Sequence, residues 1–167
     1  MRTWKIEIPL RVRCVQSTRG GRGHFHVDPA IRKWKEAIAP YIRACSPGRP
    51  SKMPMRVRNF TYYFQCPKST KANVVRYIQD GGEVPYMGVA DITDNMNKGV
   101  VDVCKGVVFE DDSQIWHICG IKKLYGLTNH ILLEFEETPD VILINGKKGS
   151  SLSDNQDEIQ DDSGALI

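Results

Sequence analysis

Residues 91–102 read Asp91-Ile-Thr-Asp94-Asn95-Met-Asn-Lys98-Gly-Val-Val-Asp102, and the acidic turn Glu110-Asp111-Asp112 follows shortly after. Asp94 has the chemistry of a helix N-cap, whose carboxylate accepts a hydrogen bond from a first-turn N–H. Met96, Val100, Val103 and Val107 then recur at helical spacing, which predicts a helix running to about Lys105 with Gly106 past its end. On that helix Asp94, Lys98 and Asp102 fall one turn apart on a shared face. The unpaired N–H groups of its first turn favour anions. Asp91 lies in the loop feeding this face, and Asp112 arrives from a second element. Carboxylates, an ammonium and an anion-friendly helix end on one patch suit phosphodiester hydrolysis. Carboxylates hold Mg²⁺, which polarises the phosphate and activates water, while a lysine offsets charge developing on phosphorus. Hard oxygen ligands favour Mg²⁺ or Mn²⁺ over zinc. Plainer readings exist for each part: Asp94 as a cap alone, Asp94/Lys98 as a helix ion pair of about 0.2–0.5 kcal/mol, Asp111-Asp112 as turn residues.

Working outward, Trp4, Ile6, Ile8 and Leu10 alternate with polar residues and predict a first strand. Residues 16–24 form a Gly- and Arg-rich loop. Asp28-Pro29 starts a helix, with Asp as cap and Pro at the first helical position. Its apolar face is Ile31, Trp34, Ile38, Tyr41, Ile42 and Cys45, and Pro40 should kink or shorten it. Met55 to Cys66, rich in Val, Tyr and Phe, predicts a second strand ended by Pro67. Residues 69–80 predict a short helix with Ser69 as cap and Gly81-Gly82 as stop. Val107–Phe109 reads as a short extended piece. Residues 114–124 and 129–137 read as two strands joined by a hairpin.

Charge is unevenly divided. Residues 1–76 carry 17 Lys and Arg against three acids, a balance of +14, while residues 77–167 carry six against 17, a balance of −11. A basic half attracts phosphates, and acids elsewhere are free to hold a metal. An unevenly charged solvated surface is the plainer alternative. The five cysteines are scattered without a Cys-x-x-Cys pair, which predicts reduced thiols. His24 and His26 have no cysteine pair to complete a zinc site. No apolar run has the length of a membrane span, and the first residues do not read as a signal peptide. The expectation is a soluble intracellular protein without a membrane partner. From Gly149 onward the chain has acids, Ser, Gln and Asn but no Lys or Arg, so residues 149–167 are expected to be a disordered solubilising tail.

The pattern Asp94-Asn95-x-x-Lys98-x-x-x-Asp102, followed by Phe109-Glu-Asp111-Asp112-Ser113-Gln114-Ile115, resembles the RusA family of Holliday junction resolvases, the crossover junction endodeoxyribonucleases of bacteria and their phages. The likeness extends to Ile8-Pro9 before a basic loop, His26-Val27-Asp28 before a Trp- and Lys-bearing helix, Cys66-Pro67-Lys68-Ser69, and Lys122-Lys123-Leu-Tyr-Gly126. It covers nearly all the chain except the acidic tail. The resemblance implies that Asp94 and Asp112 are metal-binding catalytic aspartates and Lys98 the catalytic lysine. Family members usually carry one more acid two residues before the Asp-Asn pair. Here that position is Ile92, and Asp91 is one residue further away; one extra loop residue lets Asp91 fill the role.

The reading is therefore a single α+β domain, a mixed sheet packed with helices, over residues 1–148. The resemblance implies a cytoplasmic bacterial protein, chromosomal or phage-encoded, that cuts four-way or branched DNA with Mg²⁺, or Mn²⁺, and no small-molecule cofactor. It also implies a homodimer, and a C₂ pair of sites matches the near two-fold symmetry of a four-way junction. Arg11, Arg13, Arg19, Arg22, Lys68 and Lys71 are the expected phosphate contacts, setting affinity rather than sequence choice. Three alternatives stay open: a weak or inactive binding protein for structured DNA, a nuclease for flaps or forks, and an interaction module carrying the tail.

Overall fold

The structure is a computed structural model that describes residues 1–14, 28–46, 48–88 and 95–141. The basic loop with His24 and His26 and the tail from Gly149 lie outside the described residues. The elements run β1 (Thr3–Ile8), α1 (Pro29–Cys45), β2 (Met55–Gln65), α2 (Ala72–Gln79), α3 (Asn95–Cys104), a 3₁₀ turn (Asp112–Gln114), β3 (Ile115–Ile118), β4 (Ile121–Gly126) and β5 (His130–Glu137). They form one mixed five-stranded sheet with helices against it, the α+β architecture read from the residues.

β2 is the centre. β5 pairs antiparallel along one of its edges, and β1 pairs antiparallel with β5 beyond. Along the other edge β3 and β4 both run parallel to β2: Met55–Val57 face β3, and Phe60–Gln65 face β4. These two short strands are one edge broken at Cys119–Gly120, where the Cys119 N–H donates to the Val57 carbonyl at 2.8 Å and the Phe60 N–H to that of Gly120 at 3.0 Å. The expected hairpin between residues 114–124 and 129–137 is therefore corrected: β4 and β5 are consecutive and antiparallel, yet β2 lies between them. Their connection steps over the end of β2, where the Cys66 N–H donates to the Gly126 carbonyl and the Gln65 N–H to Asn129 Oδ1 at 3.1 Å.

A register shift between Val57 and Asn59 keeps β2 facing one way. Met55 and Val57 point into the core at odd positions, and Phe60, Tyr62 and Phe64 do so at even positions. With side chains alternating at period two, only an inserted residue lets both sets share a face. Against that face pack Trp4, Ile6 and Ile8 from β1, Ile131, Leu133 and Phe135 from β5, and the buried sides of α1 and α3.

Asp28 caps α1 as expected, accepting from the Ala30 N–H at 2.8 Å. Ile31, Trp34, Ile38 and Ile42 are buried, whereas Tyr41 and Cys45 are exposed. Pro40 does not shorten the helix, which runs 17 residues through it. α2 is capped by Lys71 without a side-chain bond, so Ser69 is not its cap. It ends as expected at Gly81, whose φ of +86° allows the N–H groups of Gly81 and Gly82 to close on Ile78 and Tyr77. Val107–Phe109 is not a strand: the chain turns at Gly106 (φ +76°) and Phe109 bridges singly to Ser51 and Lys105. None of the five cysteines forms a disulfide, and among the described residues no helix is long and apolar enough to cross a membrane.

Glu137, buried at the end of β5, joins three separate segments. It accepts from the Arg2 backbone N–H at 2.9 Å, from Arg2 Nε at 2.8 Å and from Ser51 Oγ at 2.7 Å. Burial alone would raise its pKa, but these donors outweigh burial and hold it below the usual glutamate value. A depressed folded-state pKa gives stability that is full above the unfolded value, roughly pH 4.3, and lost as pH falls through the folded value. Glu137→Gln is expected to lower the urea midpoint at neutral pH, with the gap to wild type narrowing as the buffer is acidified below about pH 4; a constant gap across pH rules this account out.

Candidate active site

α3 is held to the sheet by its buried stripe Met96, Val100 and Cys104, shifted from the expected one in that Val103 and Val107 are only partly buried. Its first turn is fixed by Asn97, whose Oδ1 accepts from Tyr62 Oη at 2.6 Å inside the protein. Burial pushes the Tyr62 phenol far above its ordinary pKa, so it remains a donor at any working pH. Cys104 is likewise pushed up by burial and is an inert core thiol.

The helix begins at Asn95. Asp94 and Asp91 lie outside the described residues, as do Arg19 and Arg22. Residues 83–88 are laid along β4. The Tyr86 N–H donates to the Lys123 carbonyl, the Tyr125 N–H donates to that of Val84, and Tyr86 stacks on Phe64 at 3.9 Å between ring centroids. Lys98 is exposed on α3. Asp102, one turn later, is turned toward α1, where its Oδ2 lies 2.6 Å from Lys35 Nζ. Asp102 thus ties two helices together, a role its sequence context did not disclose.

Asp112 opens the 3₁₀ turn and is exposed. Asp111 before it caps that turn in a reciprocal box: its carboxylate accepts from the Ser113 N–H at 3.0 Å, and Gln114 Oε1 accepts from the Asp111 N–H at 2.7 Å. The Gln114 amide reaches on to the carbonyls of Ser51 and Met53, anchoring the turn to the approach of β2. Both aspartates meet Lys105, whose Nζ lies 2.5 Å from Asp111 and 3.2 Å from Asp112. The Lys105 hydrogen bond, followed by the Ser113 donors, pulls the Asp111 carboxyl well below the usual range. Lys105 is the residue that motif reading passed over. A lysine just after a helix ordinarily serves the helix dipole, but a glycine turn leading directly to Asp-Asp was the available signal.

The acidic constellation is therefore only partly assembled by what is described. Lys98 and Lys105 stand seven residues apart, about 10.5 Å along a helix, and Asp112 is at the Lys105 end. Among the described residues no group of three or more His, Cys, Asp or Glu side chains is arranged to hold a metal. The chemistry of the Asp111–Asp112 corner nonetheless suits a divalent cation. Its donors are hard carboxylate oxygens, and they already gather around a cation, the Lys105 ammonium.

Among the expected phosphate contacts, Arg11, Arg13, Lys68 and Lys71 are exposed. Arg11 lies over the Phe64 ring at 5.5 Å, Lys68 follows β2 in the next turn, and Lys71 caps α2. Arg11 thus lies beside the end of β2, and Lys68 follows that end in the chain.

A mixed sheet backing a helix that carries an exposed lysine, with an acidic corner at one end and basic residues at the other, defines an α+β domain suited to a polyanion. The family model for Endodeoxyribonuclease RusA matches residues 9–136. The chain belongs to the RusA endodeoxyribonuclease family, whose nucleases generally depend on a divalent metal. No curated protein matches the chain.

Asp111→Ala removes the cap of the 3₁₀ turn, and a lower urea midpoint is expected. Asp111→Asn keeps a capping oxygen and should recover most of the loss; equal losses in urea denaturation would deny the cap its role.

Proposed function

We propose that this chain is a Mg²⁺-dependent, structure-selective endodeoxyribonuclease that resolves Holliday junctions or other branched DNA by paired nicks. The observation that carries the reading is the family match over residues 9–136, which spans both acidic motifs. Asp94, Asp112 and Asp91 are the residues that would hold the metal, Mg²⁺ or Mn²⁺. When bound, such an ion supplies Lewis-acid polarisation of the scissile phosphate and a more acidic water. Lys98 places an ammonium beside the phosphate, offsetting charge as it builds on the non-bridging oxygens. Arg11, Arg13, Arg19, Arg22, Lys68 and Lys71 contact phosphates and set affinity and salt dependence. Residues 1–148 form the nuclease domain, and 149–167 are an acidic tail. A homodimer presents two equivalent sites to a nearly two-fold junction, as paired nicking requires. The cytoplasm of a bacterial cell is the proposed setting, with the gene chromosomal or phage-borne.

The offset of Asp91, with Ile92 where the family carries an acid, favours a second reading: a protein that binds structured DNA but cuts it weakly or not at all. Nicking assays with the purified protein decide between them. Wild type should nick a four-way junction in Mg²⁺ and lose activity in a chelator. Asp94→Asn and Asp112→Asn should bind the junction as wild type does while cleavage falls by about 10² or more. Lys98→Met should also cut slowly, while Lys68→Ala should chiefly weaken binding and flatten its salt dependence. Metal-independent or absent nicking by wild type favours the binding protein, and full cleavage by both aspartate variants removes the assigned site.

A further inference from the structure

Lys105 does not pair equally with its two acids. Its backbone is fixed: it follows the last turn of α3, its N–H donates to the Val101 carbonyl at 3.0 Å, and the adjacent Gly106 N–H donates to Phe109 at 2.7 Å. The ammonium approaches Asp111 more closely than Asp112. Asp111 also has the Ser113 N–H and the capping box to hold it. Asp112 has Lys105 as its ion-pair partner among the described residues, at the longer of the two distances. Two adjacent carboxylates repel one another, and one ammonium between them relieves that repulsion.

The geometry points to Lys105 as a positioning residue that competes with the divalent metal: it holds Asp112 in the metal-free protein, yields it when the metal binds, and remains on Asp111. The inference rests on the reading that Asp112 is a metal ligand. Asp111 is then the place where the displaced ammonium stays, which gives the first acid of the Asp-Asp pair a function distinct from that of the second. The ion pair holds Asp112 in the metal-free protein but raises the metal concentration needed to engage it.

The test is Mn²⁺ titration of the full chain, without DNA, by isothermal calorimetry at low salt. Lys105→Met and Lys105→Gln remove the competing charge, and each should bind Mn²⁺ at least about threefold more tightly than wild type. Lys105→Arg keeps the charge and should not. The two neutral variants guard against one of them failing to fold, which near-ultraviolet circular dichroism of the metal-free protein reports. Asp112→Asn, titrated alongside, should lose Mn²⁺ affinity by about tenfold or more. If Asp112→Asn loses affinity while both neutral variants bind as wild type or more weakly, the role given to Lys105 is overturned and the metal reading survives. If Asp112→Asn binds Mn²⁺ unchanged, both fall together.

Discussion

β2 has to satisfy two edges with opposite polarity. On one side it accepts β5 running against it, and on the other β3 and β4 running with it. Eleven residues of strand therefore carry the pairing of the whole sheet except β1, which hangs on β5. The inserted residue near Arg58 is what lets this long strand keep its buried side chains on the helix side throughout. Without it, Met55 and Val57 or else Phe60, Tyr62 and Phe64 would point to solvent. Burying a large apolar side chain contributes roughly 1.5–3 kcal/mol, so exposing either set removes a large share of the roughly 5–15 kcal/mol that keeps a small domain folded.

The functional groups inherit their positions from that strand. Tyr62 fixes the first turn of α3 through Asn97, Phe64 carries Arg11 and Tyr86, and the approach to Met55 holds the turn that opens with Asp112. The lysine-bearing helix and the acidic corner are thus referenced to opposite ends of one strand. A change in the pairing of β2 would alter the distance between them. This connects sheet register to the spacing of groups that the proposed reaction needs to act on one phosphate.

Much of the architecture was legible because it rests on local chemistry. The alternation of Trp4, Ile6 and Ile8, the Asp28-Pro29 start of α1 and the Gly81 stop of α2 are each decided within a few residues. The expected hairpin failed for the opposite reason. Lys123 to Asn129 carries ordinary turn residues, and nothing in it records that β2 lies between the strands it joins; that depends on a segment some sixty residues earlier. Tyr41 and Cys45 fall on the edge of the helical stripe, where period alone does not separate core from rim. In the candidate site, Lys98 and Asp112 stand out through their motif. Lys35 does not, because an ion pair between elements distant in sequence leaves no spacing to read, and Lys105, though close in sequence to its acids, reads as an ordinary lysine at a helix end. The switch in phase between Val57 and Phe60 was present in the residues and marks the inserted position, although a strand rich in aromatics conceals it.

The step of the β4–β5 connection over the end of β2 also bears on how the protein is made. Each strand from the first half of the chain finds its neighbours only in residues 115–137. A nascent chain that has released β1 and β2 therefore has helices but no sheet, and its widest apolar face stays uncovered until the last strand emerges. Such a chain gains its sheet late, with β5 inserted between the two strands that were made first.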